Sequence, residues 1–157
     1  MPRIQVGPDQ PFTGAGVLRS APGDGARGPE KPFVSVKVGD AIADAILDTG
    51  GVWLVLSPTD AAFAGIGNWE PVTNETLGIR GHDVPGRTYR APVVLSAEDG
   101  CSVEIEITVF VPDWPEDDWP LPNFLGWQGC LNRFRFALDA EAERFYFGVL
   151  GVCEQGR

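Results

Sequence analysis

Short apolar runs alternate with turn-forming residues along most of the chain, at the spacing of strands. Phe33, Val34, Val36 and Val38 form a β-rich run, Gly39-Asp40 is a two-residue turn signal, and Ala41 to Leu47 returns as a second, mostly apolar run. The pattern is that of a hairpin. Its second strand stops at Asp48-Thr49-Gly50, and Val52-Trp53-Leu54-Val55-Leu56 follows as a buried strand. Ser57-Pro58 is a helix-start signal that predicts a short helix over Thr59 to Ala64, ending near Gly65. Thr76 to Ile79 and Arg87 to Leu95 read as two strands, with Gly81 and Gly86 bracketing a mobile tip. Val103 to Val111 alternates, placing Val103, Ile105, Ile107 and Val109 on one face. Gln128 to Arg133 reads as one or two helical turns, and Arg135 to Asp139 and Arg144 to Phe147 as closing strands. Ahead of the hairpin, residues 4 to 18 are weakly strand-like, with Ile4, Val6, Val17 and Leu18 as apolar points. Ser20 to Pro32 reads as a Gly/Pro-rich loop, and Glu98-Asp99-Gly100 as a turn. Short strands separated by turn signals make an all-β chain.

The chain has 157 residues, a length expected for a single domain with a sizeable core. The expected division is residues 1–31 as an N-terminal strand and loop, and residues 32–148 as the body. A net charge of −10 argues against nucleic acid and against an anionic membrane surface, because both require clustered Lys and Arg. No stretch has the length of a membrane span, and Met1 to Gln5 lacks the apolar core of a signal peptide, so a cytoplasmic protein is expected. Cys101, Cys130 and Cys153 make an odd count, read as free thiols in a reducing compartment, with Cys101 and Cys130 as core residues. No two of them have the spacing of a zinc site, and no metal is expected. A Cys–His protease would need His82, the single His, beside one of them, and nothing local supports that. His82 reads as a solvated loop residue. Trp114 and Trp119 sit in the acidic, Pro-rich loop from Pro112 to Pro120, either capping the body or serving as exposed anchors for a peptide.

The candidate chemistry is at Asp48. An acid directly after a buried strand, with a Gly two residues on, sits where burial acts on it and where another backbone can approach closely. Asp and Gly are also common in turns that merely end a strand, and a lone Asp-Thr-Gly arises by chance. Weight comes from the preceding hairpin and from a second block, Asn123-Phe124-Leu125-Gly126 followed by Leu131 to Asp139. With that context the stretch resembles the retroviral-type aspartic proteases, and Gly126 to Leu131 looks like the bacterial, cellular branch. The likeness covers roughly residues 32 to 148.

The resemblance implies a small closed barrel with one or two short helices, working as a homodimer on polypeptide substrates without metal or cofactor. Asp48 would supply half of a catalytic dyad, Thr49 would bond to the partner loop, and Gly50 would offer its N–H to the carboxylate. Gly81, His82, Asp83 and Val84 would belong to a flap, and Phe124, Leu125 and Gly126 would border the cleft. Three positions depart from the family. Gly51 stands where Ala or Ser is usual, and Val52 and Trp127 stand where retroviral members pair an Asp with an Arg. The alternative is a non-catalytic dimerisation or peptide-binding module of the same fold.

Overall fold

The computed structural model describes residues 4–22 and 29–151. Cys153 and the centre of the expected 20–32 loop lie outside them. The central hairpin joins β3 (Glu30–Val38) to β4 (Ala41–Val52), with Val38 opposite Ala41, so Gly39 and Asp40 make the turn. Strand alternation explains its burial. Val34, Val36 and Val38 and Ala41, Ala43 and Ala45 point inward, while Ile42 remains exposed. Gly39 has φ 56°, and a Cβ there would lie 2.3 Å from the Ala64 carbonyl oxygen. The turn therefore needs glycine both for its dihedral and for the helix end pressed against it.

Pairing around the larger sheet closes on itself. β4 runs parallel to β10 (Asn123–Gln128), which is antiparallel to β5 (Leu54–Val55). β5 runs parallel to β9 (Val103–Pro112), and β9 is antiparallel to β7 (His82–Leu95). β7 returns to β3 through Lys37–Val94 and Val38–Val93. A six-strand ring results, as expected of a closed barrel. β6 (Thr73–Ile79) continues from β7 as a hairpin arm, and β2 (Arg19–Pro22) lies outside β3. A second, four-stranded sheet is ordered β11 (Phe134–Asp139), β12 (Arg144–Val149), β1 (Gly14–Val17) and β8 (Asp99–Gly100). Its Phe134, Phe145 and Phe147 share one apolar cluster with Val36, Leu54 and Leu125 of the ring.

Several elements differ from expectation. The ends of the 20–32 loop form a β2–β3 ladder, in which Pro22 is accommodated on the sheet edge. Asp99-Gly100 is paired to β1 as well as turning. Gln128 belongs to β10, leaving a single 3-10 turn at Leu131–Arg133. Cys101 is exposed, not a core residue, because it follows the short edge strand β8. Cys130 is fully buried, and burial pushes its thiol up to about 12.

The helix α1 (Pro58–Ala64) forms where Ser57 accepts from the Asp60 N–H and Gly65 closes the end in a left-handed conformation. A buried Asn123 ties it to the barrel. Its Oδ1 accepts from the Ser57 N–H at 2.7 Å, and its Nδ2 donates to the Asp44 carbonyl at 2.9 Å and to Asp60 Oδ2 at 2.7 Å. Three bonds on one buried amide fix the start of β10, and so the register of the residues that follow it. Among the described residues, no helix is long and apolar enough to cross a membrane.

Candidate active site

β4 and β5 are consecutive in the chain, yet β10 lies between them. The segment from Asp48 to Trp53 must therefore cross the end of β10. Gly126 pairs with Asp48 and Gln128 with Val52, with a register shift between them. This parallel ladder carries β4 beyond Asp48 to Val52, so the strand does not stop at the acid as its sequence suggests. The expected 52–56 strand is instead broken at Trp53, which has φ 57°. Trp53 is held there on both sides. Its N–H donates to the Gln128 carbonyl and its own carbonyl accepts from the Gly126 N–H, each at 2.8 Å. Its ring stacks on Phe110 with centroids 6.4 Å apart.

The crossing explains Gly126. A Cβ there would sit 2.6 Å from the Trp53 oxygen and the Val52 carbonyl carbon, and 2.7 Å from the Val52 nitrogen. These are backbone atoms and cannot swing aside. Gly126→Ala is expected to destabilise the fold by about 1–3 kcal/mol, the range for overpacking. It should also displace the Asp48 loop. Denaturant unfolding checks this, and a midpoint unchanged from wild type would contradict the crossing as described.

Asp48 is half-buried, and Thr49 and Gly50 are exposed on the surface beside it. The Gly50 N–H donates to Asp48 Oδ1 at 3.2 Å. At Gly51 a Cβ would come within 2.9 Å of Asp48 Oδ2, so glycine leaves the second oxygen room. A cleft of about 390 Å³ opens between this loop and the β6–β7 hairpin. Its walls are apolar, with Ile46, Val55, Leu77, Ile79 and Phe124 among them. Among the described residues, Lys31, Asp48 and Arg80 are its charged ones.

The candidate substrate residues separate. Phe124 lines the cleft, whereas Leu125 is 1% exposed in the core and Gly126 is at the crossing. Gly81 is at the hairpin tip with φ 82°, and His82 and Asp83 are exposed on the β7 arm. Val84 is buried beneath the hairpin, in a cluster with Ile46, Ile79, Phe110 and Phe124. The expected mobile tip over 81–86 is a correction. Residues 82–86 are laddered to 75–79, and the turn is only Arg80-Gly81. The hairpin faces the cleft with Leu77, Gly78, Ile79 and Arg80. The apolar alternation of Leu77 and Ile79 signalled that face. The turn itself was hidden because Arg80, with φ 49°, occupies a left-handed position that favours Gly or Asn.

His82 is on the exposed hairpin arm, and Cys130 is buried in the main apolar cluster, where burial raises its thiol. Among the described residues, no three His, Cys, Asp or Glu side chains come together as a metal site. Trp119 packs against the cluster under the cleft and meets Trp114 edge-on at 5.8 Å, while Trp114 stays exposed. Trp127, 46% exposed, lies next to the Asp48 loop and meets Phe136 edge-on at 6.5 Å.

No protein-family model matches this chain, and no curated protein matches it. Among solved structures, the fold is similar to that of a retropepsin-like aspartic protease from Rickettsia conorii. The two are 18% identical with a TM-score of 0.52, over 85% of this chain and 90% of that chain. At that identity the likeness is one of fold, and the all-β fold here is of the retropepsin type.

Proposed function

We propose that this chain is an aspartic endopeptidase whose dyad is formed by Asp48 from each of two identical chains. The observation that carries the reading is the placement of Asp48. It lines an apolar cleft under a β-hairpin, held by the Gly50 N–H, with Thr49 and Gly50 exposed beside it. Two carboxylates a few ångströms apart cannot both ionise, so the pair shares one proton. One carboxylate then takes a proton from a bound water as that water attacks the peptide carbonyl. The other gives its proton to the carbonyl oxygen; the first then passes the proton it took to the amide nitrogen while the other recovers one from a hydroxyl, and the C–N bond breaks to release the amine and the carboxylic acid. The hairpin would close over an extended peptide and exclude water. The cytoplasm, as the reading of the cysteines suggests, would be its compartment.

Incubation with an unfolded protein across a pH series tests the proposal. The expected profile is a bell with its maximum below neutrality, since only the singly protonated pair is active. A chelator should leave the rate unchanged. A rate that rises steadily above neutrality, or that a chelator abolishes, would point to other chemistry. No cleavage at any pH would favour the non-catalytic peptide-binding module.

A further inference from the structure

The four-stranded sheet ends on an open edge. Its order is β11, β12, β1 and β8, and among the described residues no strand pairs with the outer side of β11. β11 is six residues long, contains no proline, and keeps its ladder to β12 without a register shift. Edges are usually blunted by proline, a bulge or a very short strand, and one without these is a template for another chain.

The charges around β11 are sorted by end. Arg133 and Arg135 stand at its start, and Asp139 and Glu141 at its finish. Strand alternation puts Arg135, Ala137 and Asp139 on one face, and Phe136 and Leu138 on the other. Arg135 and Asp139 are half-buried and about 13 Å apart along the strand, too far to meet within a chain. Among the described residues neither is in an ion pair. Arg135 Nε is buried with no acceptor, and Asp139 Oδ1 accepts only the Ala142 N–H at 3.0 Å. Arg144, opposite Asp139 on β12, bonds to Asp99 instead at 3.2 Å. On the other face Leu138 is 43% exposed. The edge also lies close to the candidate acid. Phe136 meets the exposed Trp127, and Trp127 directly follows Gly126, the residue paired with Asp48.

We infer that the edge of β11 docks a second copy of this chain, antiparallel, with Arg135 of each chain bonded to the partner's Asp139. The inference rests on the two-chain reading of the site. A two-fold axis normal to the sheet keeps each face on its own side, so directly opposed residues share a face. Centred on Ala137, the pairing sets Arg135 opposite the partner's Asp139 and Phe136 opposite the partner's Leu138. Centred on Arg135 or on Asp139, it would set like charges against each other. Symmetry then makes two ion pairs for one contact, Leu138 is covered by an apolar ring, and the open backbone groups of β11 find partners.

Charge reversal on the full chain tests the pairing, with dimer Kd read by sedimentation across a concentration series. Arg135→Glu and Asp139→Arg, each alone, place like charges opposite each other twice per dimer. Each should raise Kd about tenfold or more. Mixed one to one, the two variants should form heterodimers near wild-type affinity, because one chain then carries both carboxylates and the other both guanidiniums. If Arg135→Glu does not fold, as circular dichroism shows, the Kd of Asp139→Arg decides alone. A wild-type dimer whose Kd neither variant changes, or a mixture no tighter than its components, overturns the inference and leaves the two-chain peptidase reading intact. A wild-type chain that is monomeric at every concentration overturns the inference as well, and cleavage by that monomer would show that the two-chain reading fails with it.

Discussion

Asp48→Asn is expected to reduce peptide cleavage by on the order of 10²–10⁴-fold or more, the range for loss of a positioned acid–base group. The substitution is nearly isosteric, and a side-chain oxygen can still accept the Gly50 N–H that bonds Asp48 Oδ1 at 3.2 Å. Half-buried in the cleft lining, the residue contributes little to the core clusters, which consist of apolar side chains. The unfolding midpoint should therefore stay close to wild type while the rate collapses. That separation of activity from stability distinguishes a chemical role from a structural one. A variant that cleaves as fast as wild type would remove Asp48 from the mechanism. A variant that unfolds would instead assign it to the scaffold.

Local propensity made the scaffold legible where one element decides its own form. Gly39-Asp40, Ser57-Pro58 and Gly65 are placed as their residue types dictate, and the hairpin, the helix and the C-terminal strand pair follow. Legibility ended where a distant strand decides. Nothing in residues 48–56 announces that β10 will lie between β4 and β5, yet that insertion extends β4 past Asp48 and turns the chain at Trp53. The ladder from Thr73 to Ile79 was likewise longer than its apolar residues suggested. β6 is exposed over most of its length and held by backbone bonds to β7, which side-chain pattern does not record.

The site divides in the same way. Asp48, Gly50 and Phe124 were legible because a short motif specifies them, and they do meet around one cleft. Lys31 and Arg80 carried no motif. Lys31 lines the cleft from β3 and Arg80 from a turn with a left-handed φ of 49°, both long-range consequences of the fold. Cys101 was misread for a related reason. A thiol has no periodic signature of its own, and its exposure follows from an edge strand only two residues long.

One Asp-Thr-Gly per chain makes the number of chains the central claim, because a two-carboxylate mechanism then requires two copies. An isologous two-fold contact is the arrangement that brings identical loops together. Thr49, Gly50 and Trp127 are the exposed residues such a partner would cover first. Val52 and Trp127, standing where retroviral members carry an ion pair, would make that contact apolar. Two chains of net charge −10 repel, so dimerisation should strengthen with added salt and specific activity should fall on dilution. The most direct test mixes wild-type chains with an excess of Asp48→Asn chains and follows activity after exchange, with sedimentation confirming that heterodimers form. The account predicts that activity falls in proportion to the wild-type homodimers that remain, approaching zero at large excess. Full activity after verified exchange, or full specific activity from a sedimenting monomer, would show that one chain supplies the whole site.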